Sequence, residues 1–308
     1  MQVSSLTPVP SVVILMAVYN GRAWLAEQLE SVFLQKGVAL EVFVSIDPSQ
    51  DGTAEWLKEY ALKEPRLQIL PELASSGSAT QNFFRLLRDV KVEGYDYVAF
   101  ADQDDIWCAD HLLRGVERLQ QGYAGYSSNV MAFWPDGRKK LINKSQPQRR
   151  WDFMFESSGP GCTFVMTAGF VRAVQASLVQ HRDALQDFGY HDWFVYGFAR
   201  AQGYRWFIDD YPGVLYRQHD ENVVGANTGL AAFWTRARYI GSGAGFSQAL
   251  LLAEVTGLGD SSFVRSWRDG TRKGFFRLAL QANQCRRRFS ERCYFFLLCL
   301  YRVIFPSS

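Results

Sequence analysis

Residues 97–105 read YVAFADQDD: an apolar run, Tyr97-Val98-Ala99-Phe100, driven straight into Asp102, Asp104 and Asp105. Three carboxylates within four positions repel one another. Their pKa values rise and local stability falls unless something positive sits among them. The cluster therefore asks for a cation. The strand that delivers it is the fourth of a series. Residues 12–19, VVILMAVY, are continuously apolar and β-branched, as in a strand covered on both faces. Residues 41–47 and 67–70 have the same character, and 95–101 complete the set. Helical patterns separate them, with Leu25, Leu29, Val32 and Phe33 on one face, then Trp56, Leu57, Tyr60 and Ala61, then Phe83, Phe84 and Leu87 across 78–90. Four strand–helix alternations predict a mainly parallel, doubly wound α/β sheet. Such sheets bind ligands beyond the C-terminal ends of their strands, the edge where Asn20, Asp47, Asp51 and Asp102 should fall.

Beyond about residue 120 the rhythm changes. Residues 123–134 read as a strand and the basic stretch 136–150 as a loop. GPGCTFVMT (159–167) is glycine-rich and then apolar. HDWFVYGFARAQG (191–203) has helical spacing, and 204–219 reads as a strand pair. Helices rich in arginine and aromatic residues are expected from 228 onward, so the chain divides into 1–227 and a helical C-terminal extension, 228–308. A chain of 308 residues with 48% hydrophobic content can bury a large core. Its net charge of +2 speaks against a nucleic-acid binder dominated by phosphate contacts. The five cysteines are scattered, with no zinc spacing, and fit a reducing compartment. The N-terminus lacks a basic leader and reads as a first strand. No stretch reaches the length of a membrane span.

Each chemical motif has a plainer alternative. Asp and Glu oxygens suit hard cations such as Mg2+ or Mn2+, and two carboxylates two positions apart can hold an ion that also touches a diphosphate. A solvated acidic turn, with Asp105 capping the next helix, accounts equally well for a lone D-x-D. In SIDPSQDGT (45–53), Asp51 reads as a helix cap, whereas Asp47 ends a strand at the ligand edge and can accept from a nucleobase or ribose. Asp192, before an aromatic helix, is either a cap or a general base whose pKa is raised by apolar neighbours such as Trp193. Arg217 and His219, two apart, share a face if the chain is extended there, and imidazole is a frequent metal ligand.

Taken together, ILMAVYNG, SIDPSQDGT, ADQDDIW, GPGCTFVMT, HDWFVYGFA and VLYRQHDENVVG, in that order across about 11–227, resemble the family 2 inverting glycosyltransferases, in particular a rhamnosyltransferase-like bacterial branch. The resemblance implies the GT-A (nucleotide-diphospho-sugar transferase) fold. It implies that Ala17, Tyr19 and Asp47 line a nucleotide pocket and that Asp102 faces the ribose or sugar. Asp104 and His219 would hold the metal, with Arg217 beside the diphosphate and Gly161 and Cys162 near donor sugar and acceptor. Asp192 would deprotonate the acceptor hydroxyl. The cofactor would be Mg2+ or Mn2+, the donor dTDP-rhamnose, and the acceptor a glycan or lipid-linked oligosaccharide of a bacterial surface polysaccharide. Three departures stand out: Ile46-Asp47 where the family often has two Asp residues, Pro48 in place of a usual Gly, and Ser75-Ser76 before Gly77 where an Asn is frequent.

Three alternatives stay open: a transferase using a UDP-hexose, a non-catalytic nucleotide-sugar-binding scaffold, and a nucleotidyltransferase. The last would want a lysine-bearing glycine-rich loop where this chain has only YNGRAW. The segment 271–305 mixes cations, among them Arg286, Arg287 and Arg288, with Phe, Leu and Tyr. It suits an anionic membrane surface on the cytoplasmic face of the inner membrane, a helical layer of the core, or a homo-oligomer contact. The membrane reading expects 271–308 to be removable from a soluble catalytic fold.

Overall fold

The computed structural model describes residues 8–72, 75–219 and 244–305. Its first half alternates strand and helix: β1 (Ser11–Val18), α1 (Leu25–Phe33), β2 (Ala39–Ile46), α2 (Thr53–Ala61), β3 (Leu67–Ile69), α3 (Ala79–Asp89) and β4 (Tyr97–Ala101). These strands pair in parallel in the order β3-β2-β1-β4. The second half brings β5 (Ile106–Trp107), α4 (His111–Leu119), β6 (Gly125–Phe133), β7 (Lys139–Ile142), β8 (Val165–Thr167), α5 (Ala168–Gln180), α6 (His191–Ala201) and β9 (Trp206–Arg217). Here the sheet turns mixed. β4 and β6 both pair antiparallel with β8, β6–β7 is a hairpin, β5 pairs antiparallel with β9, and only β6–β9 is parallel. Doubly wound parallel order thus holds for the half of the sheet made of β1 to β4.

The side-chain period of two in β1 shows why the sheet is covered on both sides. Val13 and Leu15 enter one core with Phe83 and Phe84 of α3, Phe100 of β4 and Phe194 of α6. Val12, Ile14, Met16 and Val18 enter the other with Leu25 and Leu29 of α1 and Val116 of α4. In register, Ala101 pairs with Met16 and Ile46 with Val18, so β1, β2 and β4 end nearly level and release 19, 47 and 102 along one edge.

Two local readings change. The expected strand pair in 204–219 is one long strand, β9, bent by a bulge opposite Ser128-Asn129-Val130. Asn129 pins it: its Nδ2 donates to the Asp210 carbonyl (2.9 Å), and its Oδ1 accepts from the N–H of Lys144 (2.6 Å) and Ser145 (3.1 Å). The basic loop 136–150 contains the short strand β7, which period and composition conceal.

Helices α7 (Ala244–Val255), α8 (Ser262–Arg265), α9 (Arg272–Leu280), α10 (Ala282–Cys285) and α11 (Phe289–Ile304) follow. The expected boundary at 227/228 lies outside the described residues. On either side of them the core is continuous: Phe246, Phe275, Leu278, Phe295 and Cys299 belong to the cluster that holds Val13 and Phe100. The C-terminal helices form a layer of the fold. Deleting 271–308 would uncover that core, contrary to the expectation that the segment is removable.

Candidate active site

The exits of β1 and β2 make one end of the site. Asn20 takes a left-handed conformation (φ 46°), which breaks the strand and turns the chain toward α1. Its N–H donates to Ser49 Oγ (3.0 Å), and its Oδ1 accepts from the Gln50 N–H (2.9 Å), so the two strand exits are tied together. Ala17 lies half-buried in β1, paired with Ser45. The Tyr19 ring is exposed, while its backbone is clamped by one side-chain amide: Gln103 Oε1 accepts its N–H (2.7 Å) and Gln103 Nε2 donates to its carbonyl (2.8 Å). Asp47 is buried at the end of β2, and both of its oxygens are engaged by Ser76, one by the backbone N–H (2.8 Å), the other by the hydroxyl. Ser76 is one of the departures noted above, and the structure pairs it with Asp47. The cap position of α2 is Gly52, and Asp51 makes the turn that precedes it. Its Oδ1 accepts from the N–H and hydroxyl of Thr53 (3.1 and 2.6 Å) at the start of α2.

The acidic turn is the centre. Burial, then the neighbouring Asp104 and Asp192, push the Asp102 carboxyl up to about 7. Burial, then Asp104 and Asp102, push Asp105 well above the usual range. Asp105 Oδ1 accepts the Arg217 N–H (3.1 Å), while its buried Oδ2 has no partner among the described residues. Cys162, also buried, is held in its thiol form by burial and by Asp105 and Asp102. Single donor atoms of Asp102, Asp105 and Cys162 lie within 4.8 Å of one another. Nearer the surface, His219 Nε2 meets Asp104 Oδ2 at 2.8 Å, and the imidazole stacks on Trp24 at 4.1 Å between centroids.

The donor set fits a hard divalent cation. Carboxylate oxygens dominate it, one imidazole adds to them, and a carboxyl whose pKa is raised by burial and by its neighbours gains from a positive charge. A buried thiol is a soft, protonated donor and suits such an ion poorly. Asp102, Asp104 and His219 are the groups here whose chemistry could hold such an ion.

Arg217 was expected beside a diphosphate. In the structure its Nε donates to the Asp104 carbonyl (2.8 Å), its Nη2 pairs with Glu27 of α1, and the guanidinium lies over the Phe133 ring at 4.7 Å. These contacts brace the acidic turn.

Asp192 stands in the first turn of α6, where its Oδ1 accepts the Trp193 N–H at 2.7 Å. Burial raises its pKa to about 6, against the lowering pull of that N–H, the Ser157 hydroxyl and the Lys144 cation. It is close enough to Asp102 for each charge to matter to the other. Beside it, His191 stacks on Phe83 at 3.9 Å, and burial alone depresses its pKa to about 3, so the ring is neutral. Gly161 fits against this pair only because it has no side chain: a Cβ there would lie 2.4 Å from His191 Nε2.

Residues that motif reading missed complete the wall. Arg287, fully buried, donates to the Ser157 carbonyl (2.7 Å) and pairs with Asp152 (3.2 Å) and Glu156 (3.5 Å). Asp152 is also held by Arg200 (3.1 Å) and by the Tyr196 hydroxyl (3.0 Å). Arg286 donates to the Phe155 carbonyl and pairs with Glu291 (3.2 Å). Two of the three clustered arginines thus face inward and fasten the C-terminal layer to 152–157, the segment that supports Asp192. The only advance signal was their place in an otherwise apolar helical region.

The sequence profile of Glycosyl transferase family 2 matches residues 13–178. Over 290 residues the chain is 39% identical to the dTDP-rhamnosyl transferase RfbG of Shigella flexneri, an alignment covering 94% of this chain and 100% of that one. Among solved structures, S. aureus TarS 1-349 in complex with UDP-GlcNAc matches with a TM-score of 0.55 at 13% identity, over 95% of this chain and 90% of that one. GalNAc-T7 with UDP, GalNAc and Mn2+ matches with a TM-score of 0.57 at 14% identity, over 82% and 55%. At these identities the structural matches speak for the fold alone.

Proposed function

The chain belongs to glycosyl transferase family 2 and has the GT-A fold, and from that premise we propose that it transfers L-rhamnose from dTDP-rhamnose, with inversion, to a hydroxyl of a growing, lipid-linked bacterial surface polysaccharide. The observation that carries the donor assignment is the 39% identity, over the whole length of the relative, to a dTDP-rhamnosyl transferase.

The site supports a division of labour. The exits of β1 and β2, with Ala17, Tyr19 and Asp47, take the nucleoside. Asp47 reaches base or ribose by exchanging one of its Ser76 bonds for a bond to the ligand. Asp104 and His219, with Asp102 close by, would hold Mg2+ or Mn2+. A divalent cation there supplies charge that offsets the negative charge growing on the leaving diphosphate. Arg217 keeps the acidic turn in place through Glu27 and the Asp104 carbonyl. Gly161 and Cys162 bring backbone close to the donor sugar.

Asp192 accepts the proton of the acceptor hydroxyl as that oxygen attacks the anomeric carbon from the face opposite the nucleotide. A carboxyl with a pKa of about 6 is ionised at neutral pH yet more basic than a solvated aspartate, which is what a general base needs. The five cysteines, all free, support a cytoplasmic home.

The test is a donor panel. The purified chain, a lipid-linked oligosaccharide acceptor and Mn2+ are incubated with dTDP-rhamnose, UDP-glucose or UDP-N-acetylglucosamine, and nucleoside diphosphate release is followed together with product mass. Rhamnosylated acceptor from dTDP-rhamnose alone is expected. Transfer from a UDP-hexose overturns the donor assignment, and nucleotide binding without transfer makes the chain a scaffold.

A further inference from the structure

Helix α11 is built inside out for a solvent-facing helix. Its charges are held by partners: Arg302 is buried, with its guanidinium over the Phe275 ring at 5.4 Å, Arg292 donates to the Arg287 carbonyl at 2.8 Å and lies over the Phe289 ring at 5.9 Å, and Glu291 pairs with Arg286. Its outward arc carries no charge. Phe289, Phe296, Leu297, Tyr301 and Ile304 fall along one face, and Phe289, Leu297 and Ile304 are 73%, 62% and 63% exposed. The neighbouring helix α9 adds exposed Phe276 and Leu280. Seven exposed large apolar side chains on two packed helices are more than the singly scattered ones that are normal on a surface.

Within 271–305 the exposed charge is of one sign. Arg272, Lys273 and Arg277 of α9 are exposed, and none joins an ion pair among the described residues. The single acid in 271–305 is Glu291, already paired with Arg286. Two copies meeting through this face about a two-fold axis would bring the same cations together. An anionic lipid surface offers the opposite charge and an apolar layer beneath it.

We propose that α9 and α11 form a membrane-docking face. Helix α11 lies flat in the headgroup region, its apolar arc sunk toward the acyl chains, while Arg272, Lys273 and Arg277 meet lipid phosphates. No helix among the described residues is long and apolar enough to cross a bilayer, so the attachment is peripheral. The inference does not depend on the donor or acceptor proposed above, because lipid binding is read without catalysis.

The experiment is co-sedimentation of the full chain with vesicles of equal parts phosphatidylglycerol and phosphatidylcholine, and with phosphatidylcholine vesicles, at low and high salt. The expected result is pelleting with the anionic vesicles at low salt, weakened by salt. Neutralising all three α9 cations (R272Q, K273Q and R277Q together) should weaken binding about 100-fold, at about fivefold per cation. Changing the arc with Leu297→Gln and Ile304→Gln should weaken it at every salt concentration. Nucleotide binding equal to that of the parent certifies that each variant is folded. A full chain that stays in the supernatant with anionic vesicles at low salt overturns the proposal. So does light scattering that shows a dimer dissolved by the arc variant, which would assign the face to a second copy.

Discussion

Arg287→Met is the most searching perturbation of the buried wall. The guanidinium is wholly enclosed, and its removal leaves the Ser157 carbonyl without its donor and Glu156 without one of its cations. Breaking a buried ion pair from one side costs about 3–5 kcal/mol, much of it the penalty on the partner left behind. Here Asp152 keeps Arg200 and Tyr196, and Glu156 keeps the Arg287 backbone N–H at 2.6 Å, so the lower part of that range, about 3 kcal/mol, is expected. For a chain of 308 residues that lowers Tm by roughly 5 °C. Arg288→Met is the control, since Arg288 is exposed and should cost no more than about 0.5 kcal/mol. Differential scanning fluorimetry reads the stability. A second readout separates stability from chemistry. The Ser157 hydroxyl lowers the Asp192 pKa, so loosening 155–157 should move the acid limb of the rate profile to higher pH. Equal melting of Arg287→Met and the parent, or equal losses in Arg287→Met and Arg288→Met, would refute the claim that this arginine ties the C-terminal layer to the site.

Asp192→Asn should lower kcat about 100-fold or more while calorimetry finds dTDP affinity within a few-fold of the parent, because a base acts on the acceptor. In the parent, log kcat should rise with pH through about 6 and then level, since the raised pKa makes the ionised base scarce below it. A flat acid limb there removes Asp192 from the role. Asp104→Asn should abolish the Mn2+-dependent rise in Tm as well as turnover, and a rise equal to the parent's would move the cation elsewhere. Gly161→Ala forces a methyl to 2.4 Å from His191 Nε2 and should cost about 1–3 kcal/mol in a melt together with most of the turnover.

What the sequence disclosed follows from the range over which its signals act. The unbroken apolar run of β1 and the carboxylates after β4 are local, so the parallel half of the sheet and the ligand edge could be read from them. β9 could not be read as one strand, because its bulge is fixed by Asn129 on a strand some eighty residues away. The role of Ser76 was visible only as a departure from a pattern, and its partner Asp47 is 29 residues distant. Arg287 misled because a triplet of arginines looks the same on paper whether it faces lipid or Asp152. Burial of a charge depends on partners 130 or more residues away, and composition does not report them.

The Gln103 amide holds the N–H and carbonyl of Tyr19 at once, and Gln103 itself sits between Asp102 and Asp104. The exit of β1 and the acidic turn after β4 are therefore joined by one short, two-pronged staple. Neither strand end can shift without carrying the other, so the span between them is held by two hydrogen bonds from a single amide.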